Sequence, residues 1–218
     1  MAKGTTFGTI HSNRDLMLIQ QSIEISPAIP RINIVDVPGA NGGLDLTEAL
    51  GVGVLYKDRE IKWTFALYPG ANWAERFQAV SGSINGLSCH ITLDDDPGYY
   101  YDGRLQVYGY KFDALLRQIT VKATCRPYKR KQIETTVSRS DISTNITTIV
   151  LNNDRMPVIP TITTQQDTTL NWGGNSYTVN AGTHVIPEIR LSEGRNELDA
   201  KVSSGLGTIN IVYREGAL

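Results

Sequence analysis

Apolar residues recur at every second position in several stretches of the chain. Glu60 to Tyr68 places Ile61, Trp63, Phe65 and Leu67 on one face. Ser88 to Leu93 does the same with Cys89, Ile91 and Leu93, and Gln118 to Cys125 with Ile119, Val121, Ala123 and Cys125. Ile209, Ile211 and Tyr213 repeat the pattern near the C-terminus. Strands with one face on a core and the other in water have this period. Gly, Pro, Asn and Asp cluster between the runs, as turns require.

One stretch has a different period. Trp73, Phe77, Val80 and Ile84 are spaced by four, three and four, which is one face of a helix. Asn72 precedes it and can cap its first turn. Glu75 sits where the helix dipole favours an anion. Gly86 can end the helix in the left-handed conformation, and Gly82 weakens it slightly. The composition changes after Cys125. Arg126 to Lys131 is basic and lacks apolar alternation, and residues 133–149 are rich in Thr, Ser and Ile. A boundary near 128–134 follows. The second half has no helical stripe but several short β-type runs: Ile146–Leu151, Val158–Thr163, Ser176–Val179, His184–Ile189 and Thr208–Tyr213. The expected fold is all-β with one helix in the first of two domains, 1–130 and 131–218, the second a sandwich or jelly roll.

The bulk numbers narrow the function. A chain of 218 residues, 40% hydrophobic and 20% charged, can fill two modest cores. A net charge of −1 gives no global attraction to nucleic acid or anionic membrane. No run approaches the roughly 18 apolar residues that span a bilayer, so membrane insertion is not expected. No apolar stretch follows Lys3 to form a secretory signal, so folding in a cytoplasm is expected if the chain begins at Met1. Cys89 and Cys125 fall on apolar phases and are expected as buried thiols rather than a disulfide or metal pair. Asn145-Ile146-Thr147 is a glycosylation sequon that carries no meaning without secretion.

Candidate chemistry is sparse. His11, His90 and His184 stand far apart, with none at metal-ligand spacing to another His or Cys. No nucleophile elbow, phosphate loop, dinucleotide fingerprint or zinc-protease motif occurs. No cofactor, metal or catalytic set is expected. Asp94-Asp95-Asp96 could ligate a hard cation, but successive side chains of an extended chain point apart. A strand end followed by a Pro97-Gly98 turn is the expected structure; three like charges at one spot can also make a negative surface patch that orients a partner. Val37-Pro38-Gly39-Ala40-Asn41-Gly42-Gly43 is expected as a tight loop, because no Lys and no helix start follow it to make a phosphate cradle. Arg126 to Lys131 has one aromatic, Tyr128, too few for nucleic acid, and is expected as a solvated interdomain linker.

Taken together, several stretches resemble the distal tail protein (Dit) family of long-tailed, non-contractile phages. They are His11-Ser12 with Asp15-Leu16, Val37-Pro38-Gly39, Asn41 to Thr47, Tyr56 with Arg59, Leu93 to Pro97, Tyr99 to Tyr101, Gly103-Arg104 and Cys125 to Lys129. A looser likeness continues at Gly182-Thr183, Ile186 to Ile189, Leu191 to Asn196 and Ile209 to Leu218. Met17 stands where the resemblance leads one to expect Gly.

The resemblance implies a tube-protein-like first domain and a galectin-like second domain. It implies a structural role at the tail tip of a virion assembled in the bacterial cytoplasm. Six copies would form a ring through their first domains, stack on the tail tube protein and carry the tip protein. The second domains would project outward, where receptor-binding proteins attach in some relatives. Val37, Pro38, Gly39, Asn41 and Gly42, in a Gly-rich hairpin around Val37–Leu50, are the candidate intersubunit loop. The alternative is a carbohydrate-binding module, with Trp172 as the candidate glycan or partner contact beside Tyr177 and Tyr213. An enzyme is the weakest alternative, since no paired carboxylates or activated nucleophile can be assembled.

Overall fold

The computed structural model describes residues 3–49, 53–68, 72–112 and 117–218, so Leu50, the far end of the expected hairpin, lies outside the described residues. The chain divides into two compact units, Met1–Lys129 and Arg130–Leu218. Each has its own apolar core. No helix among the described residues is long and apolar enough to cross a membrane.

The first unit contains β1 (Thr5–Phe7), β2 (Ile10–His11), β3 (Leu18–Ile25), β4 (Ile34–Asp36), β5 (Gly43–Asp45), β6 (Arg59–Leu67), α1 (Trp73–Ile84), β7 (Ser88–Leu93), β8 (Asp96–Phe112) and β9 (Arg117–Cys125). Seven of these strands form one antiparallel sheet in the order β2-β1-β7-β8-β9-β6-β3. The period-two positions decide which face is dry. Ile61, Trp63 and Phe65 of β6 lie beside Ile119, Val121 and Ala123 of β9, and all are buried. Phe7 meets Trp63 edge-on at 5.3 Å and Phe65 at 6.4 Å.

The helix lies where its apolar spacing placed it. Asn72 accepts from the Ala74 N–H, and Val80 and Ile84 enter the core. Phe77 and Trp73 pack on the Tyr110 ring, with centroids 4.8 and 5.1 Å away. The exit turn is tied to β8: the Val107 N–H donates to the Asn85 side chain, and Arg104 donates to the Gly86 carbonyl.

Two sequence-based expectations change here. The hairpin between β7 and β8 turns at Asp94-Asp95, with Leu93 opposite Asp96, and Pro97-Gly98 lies inside β8. A two-residue turn suffices, so Pro97 falls on the strand side of it. The basic stretch is no solvated linker: Lys129–Lys131 is a short strand, β10, and its side chains are half-buried. Lys129 pairs with Asp96 at 2.7 Å and lies over the Tyr99 ring, while Lys131 pairs with Asp154 and Glu215.

The second unit holds β11 (Thr135–Ile142), β12 (Thr147–Asn153), β13 (Thr161–Thr164), β14 (Thr168–Trp172), β15 (Asn175–Val179), β16 (Gly182–Val185), β17 (Gly194–Val202), β18 (Gly207–Tyr213) and β19 (Gly216–Ala217). Two four-stranded antiparallel sheets, β11-β18-β13-β16 and β12-β17-β14-β15, make a sandwich. Leu151, Leu170, Leu198 and Ala200 of one sheet share a core with Ile162, Ile209 and Ile211 of the other. The expected strand over His184–Ile189 ends at Val185, because Pro187 follows and cannot donate to a ladder.

Met17 is the only non-glycine among the described residues with positive φ, at 52°. A side chain in that conformation costs about 1–2 kcal/mol, which the entropy of an unfolded glycine offsets only in part. Met17→Gly should therefore raise the melting temperature by about 1–3 °C, while Met17→Ala, which keeps Cβ, should not. Differential scanning calorimetry on both variants checks this.

Candidate assembly surface

Beyond the sheet, the described residues between β3 and β6, 26–49 and 53–58, pair as a two-chain ribbon. The Ser26 N–H donates to the Glu60 carbonyl, Lys57 to Ile29, Arg31 to Leu55 and Leu46 to Asn33. At its far end β4 and β5 pair, with Val35 opposite Leu44. Val37-Pro38-Gly39-Ala40 closes a turn through the Ala40 N–H and the Val37 carbonyl. Pro38 presets the first corner and Gly39, with φ 85°, takes the second, the signature of a type II turn. Gly42 also needs its glycine, at φ 84°.

The ribbon is apolar where it should be polar. Ile29, Ile32, Ile34, Val35, Val37, Leu44 and Leu55 are 43–63% exposed. None belongs to the first unit's core. Scattered apolar side chains are normal on a surface, but seven exposed ones gathered on one two-stranded element, on both of its faces, mark a contact site. The sequence pointed to Val37, Pro38, Gly39, Asn41 and Gly42, which form the bend. It missed the flanks that carry the band. Ile29, Ile32, Ile34 and Val35 were visible in the sequence, yet their successive spacings of three, two and one sustain neither period two nor a helical stripe.

The other candidate residues serve the fold. Asp94 accepts from the Gly4 N–H at 2.8 Å and faces His11 Nε2 at 3.2 Å. Asp95 pairs with Lys3 and Asp96 with Lys129. The three carboxylates thus face three separate partners and do not converge on one site. His11 Nδ1 accepts from the N–H groups of Asn13 and Arg14, leaving Nε2–H for Asp94. Burial pushes the Cys125 thiol up to about 12, so it stays protonated. Among the described residues, no group of three or more His, Cys, Asp or Glu side chains could hold a metal ion.

Asp15 completes the His11 loop. The Arg14 guanidinium and the His11 backbone N–H hold its carboxyl down to about 2. Its folded value lies below its unfolded one, so this contribution to stability is present above about pH 4 and is lost as pH falls through about 2. An NMR titration should place the Asp15 midpoint well below that of an ordinary aspartate. Asp15→Asn should flatten the acid limb of the stability curve.

In the second unit, Trp172 is half-buried against the sandwich core, as is Tyr177. Trp172 stands opposite Asn175 across a Gly173-Gly174 turn, whose φ values of 55° and 82° suit a tight hairpin. Tyr213 is buried and donates to the Asn152 carbonyl, so it offers no platform for a sugar. The Leu191–Asn196 stretch is also structural. Asn196 accepts from the Ser192 N–H and donates to the carbonyls of Ser192 and Leu151.

A seven-stranded sheet with one helix, a projecting ribbon and a two-sheet sandwich in this order can be compared with solved proteins. The crystal structure of SPP1 Dit, described as a paradigm of the hub adsorption apparatus in phages infecting Gram-positive bacteria, matches with a TM-score of 0.73. The match covers 100% of both chains at 16% sequence identity.

The fold is that of SPP1 Dit.

The Dit fold therefore accounts for both units. A de novo designed double-stranded β-helix also aligns, over 38% of this chain and 100% of its own, with 13% identity and a TM-score of 0.28. No family model and no curated protein matches the sequence. The stretches that resemble Dit proteins include the His11 loop, the Asp94 hairpin and the Asn196 turn. In this structure they are points where strands are tied together.

Proposed function

We propose that this chain is a structural hub protein of a phage tail, assembled as a ring of six through its first unit. The carrying observation is the ribbon and its apolar band. A lone two-stranded hairpin is marginal in water, and an apolar one needs a cover. A neighbouring copy supplies it if the ribbon of one subunit lies along the sheet of the next. Such head-to-tail contacts close into a ring. Once the ring is closed, each contact is reinforced by effective concentration, so modest pairwise affinity suffices.

The fold likeness to SPP1 Dit supports this reading over other uses of such a surface. In it, the tail tube protein stacks on one side of the ring and the tail-tip protein on the other. The second unit, a galectin-like sandwich, offers docking ground for receptor-binding proteins. The protein then belongs to the virion tail tip, is assembled in the host cytoplasm, and has no catalytic role. The sugar-binding alternative has less support, because Trp172 is engaged with the core.

Size-exclusion chromatography with light scattering tests the proposal. The expected mass is six times 24.0 kDa, or twice that for paired rings. A strict monomer at high concentration would count against it.

A further inference from the structure

We propose that the second unit carries a docking groove for an acidic, extended peptide segment of a partner protein. The groove is open, about 700 Å³ in volume, and lies on the sandwich. Arg130, Arg190 and Arg214 line it, with Val158, Ile159 and Val212 giving apolar surface between them. Glu134 is the only acidic residue in its lining.

The arginines differ in state. Arg214 is fixed: it donates to the carbonyls of Lys131 and Gln132 at 2.7 and 2.6 Å, and to Glu134 at 3.0 Å. Arg130 is half-buried. Arg190 is exposed, and its side chain has no ion pair or hydrogen bond among the described residues. A guanidinium presents a planar fork that matches a carboxylate with two parallel hydrogen bonds.

The concentration of charge is local. The second unit has eight basic and nine acidic residues in all, yet three of the basic ones meet at this groove. Such a unit has no long-range pull on a polyanion, but it complements a short acidic stretch at one place. The groove also lacks an exposed ring on which a base could stack, since its tyrosine, Tyr213, is buried. The arginines and the apolar side chains share one lining, which suits a segment whose acidic side chains turn into the groove while its backbone and the stems of its apolar neighbours lie along Val158, Ile159 and Val212.

Fluorescence anisotropy tests this with the full chain. The probe is a labelled peptide of roughly ten residues alternating Asp and Val. Controls are the Asn–Val analogue and a single-stranded oligonucleotide of similar length. The Asp–Val peptide should bind at least about tenfold more tightly than the Asn–Val one, and Arg190→Glu should weaken it by a similar factor. Arg190→Gln should fall between, and raised salt should weaken binding. Arg190 is exposed, so both variants should keep the parent melting curve. Equal binding of the two peptides, or an unchanged affinity in Arg190→Glu, would overturn the proposal. So would an oligonucleotide that binds as tightly through Arg190, which would give the groove to nucleic acid.

Discussion

Val35→Lys with Leu44→Glu and Ile32→Gln should turn the assembled protein into monomers whose melting temperature lies within about 3 °C of the parent's when the parent is diluted to monomers. Val35 and Leu44 face each other across the β4–β5 hairpin, so opposite charges preserve the cross-strand pair while removing the apolar surface. Ile32 extends the band on the incoming chain. Burying three such side chains at a neighbour is worth about 1.5–3 kcal/mol each, so their loss removes several kcal/mol per contact. The first unit's core uses none of them. Light scattering should report one chain's mass where the parent reports six. A variant that melts well below the diluted parent monomer would mean that the ribbon supports the fold of its own chain instead.

Trp63→Ala should have the opposite signature, a loss of about 3–5 kcal/mol in folding stability. Trp63 is fully buried in the middle of β6, between Ile23 of β3 and Val121 of β9, with Phe7 edge-on against it. Neighbours held in several strands cannot collapse into the space an alanine leaves. The indole N–H has no hydrogen-bond partner among the described residues, so part of what the ring gains by burial is lost to a dry donor. Trp63→Phe removes that donor and keeps most of the packing, so it should cost about 1–2 kcal/mol, far less than alanine. Urea denaturation of the three proteins orders them. Equal losses in Phe and Ala variants would refute the role given to the indole N–H.

The sequence carried the dry faces well. Ile61, Trp63 and Phe65, and the helix face ending at Val80 and Ile84, follow from spacing alone because one-sided burial leaves a period. Other elements left weaker marks. In β17 the inward residues are Asn196, Leu198, Ala200 and Val202, and a buried Asn with a small Ala blurs the alternation. The short turn at Asp94-Asp95 was hidden by the stronger turn dipeptide Pro97-Gly98. For the candidate site, the glycines at 39 and 42 announced the bend, since backbone with positive φ selects them. The band was harder to see. A surface meant for another copy shows apolar residues without the period of a core, and only their exposure reveals it.

Electron microscopy of negatively stained protein tests the central claim most directly. Class averages should show sixfold rings with a central hole, and the Val35→Lys, Leu44→Glu, Ile32→Gln protein should show none. Isolated single chains in the parent sample at the same concentration would contradict the ring and, with it, the purpose assigned to the ribbon.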